Sequence, residues 1–408
     1  MATSKKTAGK SKSPLMRAVD FLTSLRLTIA LLALAAILVY WGTLAQVRFG
    51  LWEAQRIYFR SLFVMWGPEG ADWRAPVFPG GYLIGGVLLA NLIAAHARRF
   101  KLTRKKIGIF LTHIGLIMLL LGQLFTELLQ VETQIRLEEG ASGIYTESPR
   151  ETELVFIDTS GADSNKVVSV ADASLREGKE FKHPELPFRV RLIARFANSH
   201  LDEGGADHGH DTATSLAAQT QLPVADMGAR LNIFPSPVTY GMEERNLPSA
   251  LVEILGENGE SLGAWVVSSW FIRNQEVGVG DKTYEIALRF RRHYKEHRIH
   301  LIDFRHDKYE GTEVPKNFSS LVQVEPLDGG EPFKKKIYMN HPMRYGGETY
   351  YQASFDRANP RITVLQVVRN PSWLTPYVSC TIVGLGLVIQ FMMSLSRFLK
   401  RNQSAQKS

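Results

Sequence analysis

The sequence predicts an integral membrane protein with four transmembrane α-helices and one large β-rich extracytoplasmic domain. Four apolar runs each approach the roughly 20 residues that are needed to cross a bilayer. Clusters of Lys and Arg flank these runs, and the long segment between the third and fourth runs changes to the period-two alternation of β-strands. Together these observations divide the 408-residue chain into membrane and soluble parts.

The four predicted spans are apolar runs with few charged side chains. They cover residues 27–45, 81–95, 107–129 and 373–395. Trp and Tyr residues near the ends of these runs suit the headgroup region of a bilayer. An alternative interpretation makes the first run a cleaved signal peptide, because Thr43-Leu44-Ala45 resembles a cleavage site. The orientation of the later spans would be unchanged in that case.

The spans set the predicted domain boundaries. These are a basic N-terminal tail at 1–26, three helices with short loops at 27–129, the β-rich domain at 130–372, the fourth helix at 373–396 and a tail at 397–408. The segment 197–247 is treated as an insertion within the β-rich domain.

The distribution of charge predicts the orientation of the chain. The net charge is +8, but the basic excess lies in the N-terminal tail, in residues 96–106 and after residue 396, whereas 130–371 is net acidic. Basic residues beside apolar runs indicate the cytoplasmic side of a membrane and give no reason to expect a nucleic-acid partner. Both termini are therefore predicted to be cytoplasmic. The single cysteine, Cys380, excludes a disulfide within the chain and a Cys-x-x-Cys redox motif.

The segment after the third span reads as antiparallel strands with one face buried. Tyr284, Ile286, Leu288 and Phe290 are an example of the alternation, and Gly-containing turn signals recur between such runs. We expect a sandwich or two stacked sheets. The polar stretch 197–216 contains several His and Asp residues. It is interpreted either as a metal-binding loop or, preferably, as a solvated insertion, because metal sites need ligands at defined geometry.

His113 is the polar residue that most needs an explanation, because it lies well inside the third apolar run. An ionisable side chain in hydrocarbon is costly and marks a functional site by default. Its imidazole is either an axial ligand of haem iron or a hydrogen-bonding partner of a neighbouring helix.

His96 is expected to be an interfacial residue rather than a ligand, and His341 to be structural. Most of His293, His297, His300 and His306 are expected on solvated faces, and the glycines of the second and third spans are expected to allow close helix packing.

No Walker-type loop, H-E-x-x-H or G-x-S-x-G motif is present in the sequence. Instead, five segments in order resemble the ResB (CcsB-type) family, a component of the System II pathway of cytochrome c biogenesis. They are LTSLRLTIALLALAAILVYWGTLAQ at 22–46, IFLTHIGLIMLLLG at 109–122, HLIDFRHDKYEGTEVPKNFSSLVQV at 300–324, YMNHPMRYGGETYYQASFD at 338–356 and VVRNPSWLTPYVSCTIVGLGLVIQF at 367–391.

The resemblance implies a multi-pass protein of the bacterial inner (plasma) membrane that handles haem with a CcsA-type polytopic partner. The pair would deliver haem b across the membrane for attachment to apocytochrome c. His113 matches the histidine of the family's third span, an axial ligand to the haem iron, and the partner would supply the other ligand. Because the Trp-Trp-Asp motif of that partner is absent, the chain would be at most one subunit of a cytochrome c synthetase. The alternative is a non-catalytic membrane scaffold whose outer domain binds a partner or apocytochrome without ligating haem.

Overall fold

The computed structural model describes residues 13–68, 73–99, 103–161, 164–202, 215–241, 244–311, 315–356 and 359–406. The chain divides into two compact units. The first comprises Met1–Gln130, Tyr240–Met242 and Asn370–Ser408, and the second comprises Val131–Thr239 and Glu243–Arg369. The first is helical and the second is built almost entirely of strands.

The first unit contains the predicted spans. Its α-helices are α1 Pro14–Leu22, α2 Leu25–Ala54, α3 Gly81–Arg99, α4 Ile107–Leu129 and α5 Thr375–Ala405. Within the described residues, four helical segments are long and apolar enough to cross a membrane, and these are Leu25–Phe59, Gly81–Arg98, Arg104–Leu129 and Thr375–Ala405. The prediction of four transmembrane helices together with a β-rich domain is confirmed.

Helix α2 continues beyond the span predicted at 27–45. The chain then reverses direction. Gly50 has a φ of 76°, a left-handed conformation that breaks the helix, and five residues of π-helix follow at Gln55–Phe59. The reversal brings Phe59 back against α2, since a Cβ on Gly42 would lie 2.7 Å from the Phe59 ring. Gly42 therefore lets the returning segment pack directly on the helix.

Helices α4 and α5 pack through glycines on one face of α4. Gly108, Gly115 and Gly122 are spaced by seven residues and all three are buried. A Cβ on Gly108 would lie 2.7 Å from the backbone nitrogen of Gln390, and one on Gly115 would lie 2.9 Å from the backbone oxygen of Ser379. The two backbones are too close for any larger side chain. The predicted packing role is confirmed for Gly115 and Gly122.

The glycines at the start of α3 behave differently from one another. Gly80 and Gly81 lie against the backbone of Ser61 and Phe59, which confirms that they allow close packing. Gly85 and Gly86 have no atom within 4 Å of an added Cβ. The predicted packing role is wrong for this second pair within the chain, because their helix face borders open space.

The strands are numbered in chain order. They are β1 Phe63–Trp66, β2 Ala75–Pro79, β3 Val131–Glu138, β4 Ser142–Asp158, β5 Lys166–Ala171, β6 Glu180–Lys182, β7 Arg189–Phe196, β8 Ser199–Asp202, β9 Val224–Ala225, β10 Asn232–Pro235, β11 Ser249–Leu255, β12 Ser261–Ser268, β13 Gln275–Val279, β14 Lys282–Lys308, β15 Pro315–Pro326, β16 Phe333–Tyr338, β17 Met343–Tyr345, β18 Glu348–Phe355 and β19 Ile362–Arg369.

The second unit has two large sheets. The larger sheet runs β16-β15-β14-β4-β3-β19-β18-β17, with β13 and β5 paired to its sides, and the smaller runs β6-β7-β11-β12-β9. One core lies between the two sheets, where Phe156 of β4 and Ile286 of β14 meet Phe188, Val252 and Trp265. The expected stacked-sheet arrangement is confirmed for this half of the unit.

A second core lies within the large sheet itself. Ile299 of β14, Val322 of β15, Ile337 of β16, Tyr350 of β18 and Leu365 of β19 belong to one buried cluster. Strands near the two ends of the sheet therefore enclose the same core, which requires the sheet to curl. The 27-residue strand β14 contributes to both cores, so it joins the two halves of the unit.

The described part of the insertion at 197–247 covers the second face of the small sheet. Leu216 is fully buried and packs with Ile233, Leu251 and Val266 in a separate cluster. Strand β11 is consequently buried on both faces. The interpretation of 197–216 as a solvated insertion is wrong at its C-terminal end, because Ser215 and Leu216 are both buried.

A buried polar network lies in the second core, where His297 is only 5 % exposed. Its Nε2 lies 2.8 Å from the hydroxyl of Tyr350, which donates to Glu348 at 2.9 Å, and Lys295 donates to the same carboxylate at 2.6 Å. Burial lowers the pKa of His297 despite the neighbouring Glu348, and burial raises the pKa of Tyr350 well above its usual value. The expectation of a solvated face is wrong for His297, whose ring completes this network in the neutral form.

Replacing Gly115 with Val should destabilise the helical unit. The added side chain would meet the Val383 side chain and the Ser379 carbonyl, so α4 and α5 would have to move apart. The thermal unfolding of the purified protein in detergent should shift to lower temperature. The matched control is Gly86→Ala, which adds a methyl group into open space and should be neutral or stabilising by up to about 1 kcal/mol. Equal melting temperatures for Gly115→Val and the parent would contradict the packing.

Mild acid should destabilise the β-rich unit through His297. Its pKa is below 6.5 when folded, so the unfolded chain binds more protons, and the stability present above about pH 6.5 is lost as the pH falls. Burial also lowers the pKa of His293, which adds an effect of the same sign. His297→Gln keeps a donor for Tyr350 but does not titrate, so its melting temperature should fall less between about pH 7 and about pH 5. Identical pH dependence in the two proteins would contradict the assignment.

Candidate functional site

His113 lies on α4 about 9 Å from the start of the helix, since six residues separate it from Ile107. The basic residues Arg104, Lys105 and Lys106 precede the helix directly. We call the end of the spans near these residues the proximal end and the opposite end the distal end. His113 is therefore a polar side chain held inside the apolar part of the unit, near its proximal end.

The hydrogen bonding of His113 determines its tautomer. Its Nδ1 lies 2.8 Å from the backbone oxygen of Ile109, one helical turn earlier. A carbonyl oxygen can only accept, so Nδ1 carries the proton and Nε2 keeps a lone pair in the neutral ring. Metal-binding histidines are commonly oriented in this way, with one nitrogen held by the protein and the other facing the metal.

His113 lines a cavity of about 710 Å³ between α2, α3 and α4. The walls are mainly leucines and other apolar side chains, with a few polar groups. The lining residues are Thr23, Leu25, Thr28, Leu32, Leu88, Asn91, Leu92, Ala95, Lys106, Ile109, His113, Leu116, Leu119 and Leu120. The volume falls in the range of roughly 300–1,000 Å³ that is typical of cofactor sites.

Asn91 holds the proximal wall of this cavity together. It is 2 % exposed, and its side-chain amide donates to the backbone oxygens of Leu22 and Ser24 while its oxygen accepts from Thr28 at 2.7 Å. Nearby, Arg98 pairs with Asp20 at 2.5 Å. These bonds tie α3 to α1 and to the start of α2, so the cavity has a defined wall at this end.

His96 lies next to His113 on the neighbouring helix. The two ring centroids are 6.0 Å apart and the ring planes differ by 30°, while Phe110 lies 4.9 Å from His96 on another side. Both ring nitrogens of His96 are buried, and its predicted place at the membrane interface stays a prediction. His96 is not part of the cavity lining, and its ring instead restricts the orientation of His113.

This pairing of histidines could have been found in the sequence. His96 lies three residues before the end of α3 and His113 six residues after the start of α4, so both lie within two turns of the connection. Two antiparallel helices joined by a short connection bring residues at similar distances from the connection to similar depths. The apolar run at 81–95 ended the predicted span one residue before His96, which hid its place inside the helix.

A second cavity of about 720 Å³ lies toward the distal end of the same three helices and shares Leu120 with the first. Its polar group is an ion pair between Arg60 and Glu127 at 2.8 Å, and Tyr82 donates to the same carboxylate at 3.2 Å. His113, Leu120 and Glu127 are spaced by seven residues, about two helical turns. One face of α4 therefore borders both cavities.

The remaining histidines of the described residues make local contacts. His341 stacks on Tyr338 at 4.2 Å, and His300 lies 3.0 Å from the hydroxyl of Ser142. His200 lies 2.8 Å from the hydroxyl of Ser236. Asp207, His208, His210 and Asp211 of the proposed metal-binding loop lie outside the described residues. Among the residues that are described, no group of three or more His, Cys, Asp or Glu side chains could hold a metal ion.

Comparison with known proteins gives two matches. Residues 273–364 match the model of the ResB-like family. The chain is also 24% identical over 315 residues to Protein NrfI of Wolinella succinogenes, an alignment that covers 77% of this chain. The resemblance seen in the sequence is thereby supported by two independent matches.

This part of the chain, residues 273–364, is similar to the ResB-like family. The matched residues extend from the segment before β13 into β19, so they lie in the β-rich unit and do not include His113. The chain spans about 30% of the length of the NrfI protein that it matches. The role of His113 thus depends on its geometry in this chain and on the resemblance of the 109–122 segment.

Proposed function

We propose that this protein acts in cytochrome c biogenesis as a haem-handling subunit of the System II type, as its similarity to the ResB-like family suggests. It would act in a bacterial inner membrane with both termini cytoplasmic and the β-rich domain outside. A CcsA-type partner would complete the haem site, and apocytochrome c would receive the haem.

The observation that carries this proposal is the His113 ring, which lines a cavity of cofactor size while the Ile109 carbonyl holds its Nδ1. The residues present fit haem: an imidazole for the iron, leucine walls for the macrocycle and Lys106 at the lining for an acidic side group. His113 would hold haem through its iron, and the partner would supply a further ligand.

The contributions of the chain itself can be stated residue by residue. The Ile109 carbonyl holds the proton on Nδ1, so Nε2 would be the nitrogen that ligates the iron. His96 restricts rotation of the His113 ring through its stacked contact. The leucines exclude water, which strengthens the attraction between Lys106 and an anionic group. The second cavity along α4 offers space on the distal side of the site.

A second candidate is a scaffold that does not ligate haem. It is favoured by the position of the family match in the β-rich unit and by the local hydrogen bond of His113 within its own helix. In this function the β-rich domain would bind the partner or apocytochrome c, and His113 would only stabilise α4.

Replacing His113 with Ala should abolish haem binding in the complex purified after co-expression with the partner, because the axial nitrogen on this side is lost. Haem content and the absorption spectrum measure the effect. His113→Gly with added imidazole should restore part of the bound haem, since free imidazole can occupy the vacated space. His300→Ala in the β-rich unit is the control and should leave haem content unchanged. Normal haem content and an unaltered spectrum in His113→Ala would favour the scaffold.

Filling the cavity should also reduce haem content while His113 remains. Leu92→Trp adds bulk to the cavity wall without touching the hydrogen bond to Ile109. Haem in the purified complex should fall severalfold, with the melting temperature of the protein close to that of the parent. Ile272→Trp is a suitable control because Ile272 is exposed in the β-rich unit. Full haem occupancy in Leu92→Trp would show that this cavity is not the haem site.

A further inference from the structure

The hairpin formed by β1 and β2 has one buried face and one exposed apolar face. Val64 and Phe78, which are paired across the hairpin, pack with Ile84 in a hydrophobic cluster of the helical unit. Other large apolar side chains of the hairpin are exposed. Phe63, Met65 and Val77 alternate with the buried Val64 and the partly buried Phe78, Trp66 and Trp73 contact each other at the turn end, and Leu62 lies just before β1. Such a contiguous apolar surface marks contact with a partner or with a membrane.

The position of the hairpin along the helices favours contact with the membrane over contact with a protein partner. A span that begins at Leu25 needs about 20 residues and so reaches its distal end near Ala45. Trp41, one turn earlier, contacts Phe78 of the hairpin with ring centroids 6.3 Å apart. The hairpin therefore lies beside the last turn of the first span, at the depth where the hydrocarbon meets the headgroups.

The ends of the hairpin are attached at the same depth. The Phe59 ring lies where a side chain on Gly42 would be, and the Phe59 backbone closely approaches Gly81 at the start of α3. Tyr82 bonds to Glu127 near the distal end of α4. Only three residues separate Phe59 from β1, and a single residue separates β2 from α3. The chain cannot carry the hairpin away from this level.

The composition of the exposed face agrees with its depth in the bilayer. Trp and other large apolar side chains are favoured at the boundary of a bilayer, where the ring contacts hydrocarbon and the indole N–H meets the headgroups. Trp41 and Leu44, near the same end of α2, are also exposed. Charged residues flank the hairpin at Arg60, which pairs with Glu127.

We propose that the exposed face of the β1–β2 hairpin lies in the phospholipid of the distal leaflet, at the boundary between headgroups and hydrocarbon. The hairpin then acts as a lateral anchor that fixes the depth of the distal helix ends. The proposal does not depend on haem binding, since it rests on the placement of the hairpin alone.

Site-directed spin labelling can test this, because Cys380 is the single cysteine of the chain. In a Cys380→Ser background, three positions of equal exposure provide a matched set: Val77 of the hairpin at 56%, Leu327 of the β-rich unit at 55% and Leu387 of α5 at 56%. Each is replaced with Cys, labelled with a nitroxide and placed in phospholipid nanodiscs. Collision rates are measured with oxygen, which concentrates in hydrocarbon, and with a water-soluble nickel chelate.

The ratio of oxygen to nickel collisions at position 77 should exceed that at 327 and fall below that at 387. A ratio at 77 equal to that at 327 would place the hairpin in water and overturn the proposal. Low collision rates with both reagents would show that protein covers the face, which would also overturn it. Met65→Cys repeats the measurement on the partner strand if Val77→Cys does not fold. Phospholipids with a nitroxide at the headgroup should broaden the signal from 77 more than that from 327.

Discussion

Helix α4 must satisfy two requirements at once, and the rest of the helical unit depends on how it does so. One face carries Gly108, Gly115 and Gly122 and packs backbone to backbone against α5. The face that carries His113 lies about 160° away around the helix. Without a hydrophobic driving force between helices in lipid, close packing of this kind is what holds α4 in place. The imidazole is held at a cavity wall because the opposite face is fixed.

The polar groups of the helical unit follow a common rule. In hydrocarbon each donor and acceptor must find a partner within the protein, because water is absent. Asn91 meets this requirement by bonding to α1 and α2, and Nδ1 of His113 bonds to the Ile109 carbonyl. The second nitrogen of His113 is the ligand in the proposed function. The cost of placing an imidazole there is explained if iron binding offsets it.

In the β-rich unit, the long strand β14 contributes residues to two hydrophobic cores. Burial on both sides of the small sheet and within the curled part of the large sheet leaves little room for polar side chains. The network of His297, Tyr350, Glu348 and Lys295 is satisfied internally. It lies within the residues that match the ResB-like family model, so this network stabilises the matched part of the chain.

The sequence by itself determined the features that depend on local composition: the apolar spans, the strand periodicity, the packing glycines of α4 and the unusual position of His113. The reversal at Gly50, the stacking of His96 on His113, the cavity and the burial of His297 and Leu216 were decided only by the tertiary structure. Hydropathy and periodicity are properties of neighbouring residues and can be summed along a chain. A cavity or a buried polar network depends on residues far apart in sequence, whose approach is set by packing rather than by their own preferences.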